Sequence, residues 1–176
     1  MPELLDTIER TKMRIFAGLG LGILTAMLAL AETGDVYAPL RLYQGSWEMT
    51  PKGEASGTKA TRVDNDCARV GKFYGCQQTV DGKTAALVLF LPAEKPGHYF
   101  TQSLQMDGTA NGRGELDIEG DRWVYLGHGE EKGKATIFRT TNVFTGKDRI
   151  HFELAQSVDD GKTWTAGMSG DEVRVR

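Results

Sequence analysis

The chain has 176 residues, 40% of them hydrophobic, with 21 Lys and Arg against 24 Asp and Glu for a formal net charge of -3. So mild an acidic balance, with charges that alternate in sign and no basic cluster, gives no electrostatic case for a nucleic-acid partner. The length suits one ordinary domain with a real core.

The first segment differs in composition from everything after it. Arg10, Lys12 and Arg14 precede "IFAGLGLGILTAMLALA", which runs to Ala31 before Glu32. A basic stretch, an apolar stretch and a small-x-small end describe a secretory signal, expected as a helix over residues 1–31, with Met13 as an alternative start. The competing reading is an uncleaved membrane anchor, but 17 residues with three glycines sit at the bottom of the spanning range. Cleavage is favoured. The expected location is the periplasm or the outside of the cell, with membrane contact only through an uncleaved signal. Removing residues 1–31 from 176 leaves 145, divided into an irregular segment at 32–41 and one domain at 42–176.

Beyond Glu32 no stretch keeps helical periodicity for three turns, whereas short β-rich runs punctuated by Gly and Asp recur. Strands are expected at 42–50, 58–66, 72–80, 84–91, 98–106, 112–118, 122–126, 134–143, 149–157 and 163–175. Asp81-Gly82, Pro96-Gly97, Asp107-Gly108, Gly120-Asp121, Gly146-Lys147 and Asp160-Gly161 supply the turns. An all-β, antiparallel, up-and-down meander of about ten strands follows, and closure into a barrel removes its edges. A two-sheet sandwich is the second choice. The nearly continuous apolar run "TAALVLFLP" reads as a strand covered on both faces, with residues 36–41 as its cover.

The segment "CARVGKFYGC" reads as a hairpin around a two-residue type II′ loop at Gly71-Lys72. Its register sets Val70 opposite Phe73, Arg69 opposite Tyr74 and Cys67 opposite Cys76. The cysteines form a non-hydrogen-bonded pair with Cα atoms about 4.5 Å apart, at the short end of disulfide reach. A structural bridge is favoured over a redox or metal pair, because Cys-x-x-Cys spacing is missing.

"LYQGSWEMT", "DCARVGKFYGCQQ", "RTTNVFTGKDRIHFE" and "SVDDGKTW" together resemble small exported bacterial proteins of an uncharacterised domain family, itself similar to lipocalin-like, or calycin, β-barrels. The resemblance covers most of residues 40–175. It implies a barrel with an internal cavity and a Gly-x-Trp, here Gly45 and Trp47, whose indole packs across one end; it implies no chemistry.

"SVDDGKTW" also matches the Asp-box pattern of sialidases. In that hairpin Ser157 and Asp159 bond turn amides, Gly161 takes a positive φ and Trp164 folds back, and none of these roles is catalytic. One copy cannot build a propeller, so the motif is expected to be architectural. Glu115, Asp117 and Glu119 share one face of an alternating strand, the pattern of a solvated edge rather than of two carboxylates in a cleft. His98, His128 and His151 have no metal-ligand spacing, and no metal is expected. His151 falls on the face opposite Ile150, Phe152 and Leu154, and His98 on that of Phe100 and Leu104. No cofactor, haem included, is expected.

The expected activity is therefore the binding of a small hydrophobic or amphipathic molecule inside the barrel, with an enzyme disfavoured. The residues expected to line that cavity are Asn65, Arg69, Tyr74, Gln78, Phe100, Gln102, Phe152 and Leu154. The rival classes are an extracellular carbohydrate-active or other hydrolase and a structural or partner-binding protein of the envelope.

Overall fold

A computed structural model describes residues 34–53, 57 and 59–175. The expected signal helix at 1–31 lies outside the described residues.

Ten strands form one closed antiparallel barrel: β1 (Gly45–Lys52), β2 (Thr61–Val70), β3 (Phe73–Val80), β4 (Lys83–Pro92), β5 (His98–Gln105), β6 (Gly114–Glu119), β7 (Arg122–Glu131), β8 (Lys134–Thr145), β9 (Arg149–Ser157) and β10 (Thr165–Val175). Each pairs with its neighbours in sequence, and β1 closes the ring against β10 with Trp47 opposite Arg174. This is the all-β meander that the turn spacing predicts, closed into a barrel.

Two differences in extent have local causes. Leu42, expected in β1, ends a 3-10 helix at Pro39–Leu42, where Pro39 pre-sets the helical φ. β7 runs on to Glu131 and turns through Lys132-Gly133, whose φ values of 51° and 76° define a tight hairpin that the glycines at 127 and 129 disguise as loop sequence.

Side chains alternate between interior and solvent along the strands, apart from bulges where β3 meets β4 and between Ala166 and Ser169 of β10. The inward set includes Trp47, Val63, Asn65, Cys67, Tyr74, Cys76, Phe90, Tyr99, Leu116, Trp123, Asn142, Phe144, Ile150 and Phe152, all buried. The core concentrates at one end, the end of the β2–β3, β4–β5, β6–β7 and β8–β9 turns. There Tyr37 and Leu40, carried by the segment before β1, plug the barrel. Tyr37 stacks on Tyr74 with centroids 5.5 Å apart and bonds the Lys72 carbonyl through its hydroxyl; the Tyr99 hydroxyl bonds the Val36 carbonyl.

The cover expected for β4 is therefore elsewhere. The segment at 36–41 closes the barrel end instead of lying on β4, because its aromatic and leucine side chains find a deeper apolar site there. Leu87 on the outer face stays 38% exposed, and Leu87 and Leu89 lean over Gly75 on the neighbouring strand.

The hairpin between β2 and β3 has the expected register, with Val70 opposite Phe73, Arg69 opposite Tyr74 and Cys67 opposite Cys76. Gly71 has φ 61° at the first central position, which a side chain would resist. Cys67 and Cys76 are disulfide-bonded, with Cα atoms 4.0 Å apart.

Candidate functional site

A cavity of about 350 Å³ occupies the half of the barrel interior away from the plug. The strand order places its mouth among the β3–β4, β5–β6 and β7–β8 connections. Val88, Phe90, Cys76 and Phe138 give it apolar wall, while Asn65, Gln78, Thr101, Ser103, Thr140 and Asn142 add polar groups. Tyr43 and Tyr125 also line it, and no residue of its lining carries a formal charge at neutral pH. Phe138 stands at the mouth opposite Gly127, 39% exposed. Asn111 reaches the rim from the β5–β6 loop, which Asn111 N–H donating to the Ser103 carbonyl and Gln102 donating to the Asn111 carbonyl hold down.

The polar side is organised by short relays. Gln78 Nε2 donates to Asn65 Oδ1 at 3.2 Å, and Asn65 Nδ2 points at the Tyr43 carbonyl at 3.4 Å. Tyr43 packs between Trp47 and Trp123, with centroid distances of 6.4 and 6.5 Å, and so joins the cavity floor to the plugged core.

Glu172 lies on the inward face of β10, between Met49 of β1 and Ile150 of β9, and is only 8% exposed. Burial alone pushes its carboxyl up to about 7, since removal from water disfavours the charged form. Tyr43 and Tyr125 are raised as well, first by their own burial, with the Glu172 charge adding to the rise in both. Among the described residues, Glu172 Oε2 and Tyr125 Oη are the buried side-chain polar atoms without a hydrogen-bond partner.

The residues expected in the cavity fall into three groups. Asn65 and Gln78 line it. Tyr74, Phe152 and Leu154 sit on inward positions outside its lining: Tyr74 stacks under Tyr37, Phe152 pairs with Asn142 and Gly170, and Leu154 pairs with Thr140. Arg69, Phe100 and Gln102 are placed differently from expectation. Arg69 lies at the flared end of β2, exposed, with its guanidinium carbon 5.7 Å from the Tyr37 centroid. Phe100 and Gln102 face outward, because Tyr99, Thr101 and Ser103 take the inward positions of β5; Phe100 instead lies 3.6 Å from the Arg113 guanidinium carbon. His98 shares that outer face, with Nδ1 2.9 Å from Asp117 Oδ1.

Sequence reasoning missed Tyr125, Asn142, Val88, Phe138 and Glu172. The parity of β10 carries a signal for the last of these, since Arg174 opposite Trp47 fixes Glu172 on the same face.

His151 faces outward and its Nδ1 lies 2.8 Å from Asp171 Oδ1; His128 is exposed. Among the described residues no group of three or more His, Cys, Asp and Glu could hold a metal ion. The β9–β10 connection has a well-bonded interior. Ser157 Oγ accepts from Gly161 N at 2.9 Å, Asp159 accepts from Thr163 N and Oγ1 at 2.9 and 2.6 Å, and Gly161 has φ 79°. Trp164 reaches past β9 to lie 4.1 Å from the Arg139 guanidinium carbon on β8.

No family model matches the chain. A curated relative, the mitochondrial 5-aminolevulinate synthase of Neurospora crassa, is 29% identical over 124 residues, which are 65% of this chain and 20% of that protein. The chain thus spans about a fifth of that relative's length. Among solved structures, the S-type phycobiliprotein lyase CPES from Guillardia theta matches with a TM-score of 0.47 and 12% identity, over 80% of this chain and 93% of that one.

Proposed function

We propose that the protein is an exported binder that holds one small hydrophobic or amphipathic molecule inside its barrel, as members of a calycin-like exported bacterial family would. The observation that carries this reading is the cavity itself. At about 350 Å³, apolar on one side and lined by amide and hydroxyl groups on the other, it has the size and chemistry of a small-molecule site. Export is supported by the composition of residues 1–31 and by the Cys67–Cys76 disulfide, a bond that persists in oxidising compartments. Among the described residues no helix is long and apolar enough to cross a membrane.

Titration with N-phenyl-1-naphthylamine, a neutral apolar dye that brightens out of water, tests the reading. Saturation at one dye per barrel is expected, with Val88→Phe and Thr140→Phe each filling the cavity and removing the signal while the fold persists. No enhancement, together with clean apo protein in native mass spectrometry of material from its own host, would sink it.

A second reading, a module that docks to an envelope partner, draws support from the outer faces of β2 to β4. There Val70, Phe73 and Leu87 are 65%, 43% and 38% exposed. Pull-down from envelope extract with Phe73→Ser as control tests it: loss of a captured protein in the variant supports it, and equal capture removes it.

A further inference from the structure

The binding reading above leaves the ligand's chemistry open, and the charged and polar groups in and around the cavity narrow it. Three observations bear on it. The lining contains no Lys, Arg or His to receive an anion. Tyr125, which lines the cavity, carries a buried hydroxyl without a partner, and Glu172, outside the lining but buried on the inward face of β10 with its charge felt by Tyr125, has an unpartnered carboxyl oxygen, Oε2. The one basic side chain on the same face of β10 is already committed: Arg174 donates to the carbonyls of Leu42, Gln44 and Lys147 and lies over the Trp47 ring.

From this arrangement the geometry points to a cationic amphiphile as the ligand class, an apolar body carrying a basic amine, held with its ammonium against Tyr125 and Glu172. The inference rests on the barrel binding a small molecule at all. An ammonium offers three donors and no acceptor. It can give a hydrogen bond to the unpartnered Tyr125 hydroxyl while its charge offsets the buried Glu172 carboxylate that Tyr125 feels. Leaving such groups unpaired in an apolar interior costs free energy that the ligand would recover. A carboxylate ligand would do the reverse, setting a second negative charge beside Glu172 where low dielectric magnifies repulsion. An alcohol would gain a hydrogen bond but no charge pairing.

The groups that face Glu172 leave it without a counter-charge. Met49 and Ile150 are its register neighbours on β1 and β9, Tyr43 and Tyr125 are the titratable side chains that feel it, and its shift has burial as its cause. A buried acid in that state binds a proton or a cation, and an amine competes for the same place.

Isothermal titration calorimetry at pH 8 with decylamine, decanol and decanoate, which share one chain length, provides the test. Decylamine should bind at least tenfold tighter than decanol, and decanoate weakest of the three. Glu172→Gln should remove the amine's advantage and leave decanol binding within about threefold. Tyr125→Phe, which keeps the ring, should weaken the amine several-fold and serves if the first variant fails to fold. In the unaltered protein the amine's advantage should also shrink between pH 8 and pH 5.5, as Glu172 takes up its own proton. Decanoate binding as tightly as decylamine, or an amine preference that survives Glu172→Gln, overturns the inference while dye binding leaves the barrel reading standing. Absence of binding by all three together with absence of dye binding removes both.

Discussion

The guanidinium carbon of Arg174 lies 4.1 Å from the centroid of the Trp47 ring, and its nitrogens reach the carbonyls of Leu42 and Gln44 at 2.6 Å each. One side chain thus ties the last strand to the first and to the end of the plug. Gly45 belongs to the same arrangement: it has φ 114°, and a Cβ there would come within 2.7 Å of Arg174 Nη1. Arg174→Ala is expected to cost about 2 to 4 kcal/mol, from lost charge-assisted hydrogen bonds and the cation–π contact. Arg174→Lys should recover less than half, because an ammonium cannot reproduce the fork. Gly45→Ala should move the Arg174 contacts and cost stability too. Urea unfolding followed by tryptophan fluorescence measures all three.

The Cys67–Cys76 bridge closes a short loop, so its removal should cost about 2 to 3 kcal/mol by chain entropy. Reductant should lower the denaturation midpoint by that equivalent, and the double Cys→Ala variant should show no further response to reductant. Thiol titration of the unfolded, unreduced protein should find no free sulfhydryl.

Glu172 gives the barrel a pH dependence of known sign. Its folded value, about 7, lies above the ordinary 4.5, so between those values the folded protein holds a proton that the unfolded chain has released. Stability therefore falls as pH rises from roughly 4.5 to roughly 7 and is level on either side, by on the order of 3 kcal/mol. Glu172→Gln should flatten that slope and be the more stable protein at pH 8. An unchanged slope in the variant would assign the dependence to other groups.

Asp159 works in the opposite sense. Hydrogen bonds from the Thr163 side chain and backbone, and then from Ser157, hold its carboxyl down to about 2. Its contribution is fully present above the ordinary carboxyl value and disappears as pH falls through about 2. Thermal melts at pH 6 and pH 2 should therefore differ more for the parent protein than for Asp159→Asn. Ser157→Ala, which removes the acceptor of Gly161 N and a donor to Asp159, should cost about 1 to 2 kcal/mol at pH 6 and less at pH 2.

Parts of the molecule legible in the sequence are those where one local feature dictates register. Gly71 fixes the turn, the turn fixes which residues oppose, and Cys67 then meets Cys76. The Leu116 and Ile118 side of β6 is legible for the same kind of reason, since charged residues occupy every alternate position. β5 defeats that logic. Tyr99 and Phe100 are adjacent aromatics, so the pattern suits either face, and the choice falls to tertiary contacts: Tyr99 reaches the Val36 carbonyl in the plug. Glu172 was hidden for a different reason. A carboxylate at a buried position runs against the expectation that acids face water, so Glu172 reads as surface until the β1–β10 pairing is known.

That pairing also sets the order in which the molecule can be assembled. Trp47 belongs to the first strand and is covered by Arg174 in the last, whose hydrogen bond to Leu42 spans 132 residues of chain. Every other ladder joins neighbouring segments and can zip as the chain emerges, but the ring stays an open, curling ribbon until β10 is present. Closure of so long a loop is slow, and unsealed β1 and β10 edges are the sites at which two unfinished chains would pair.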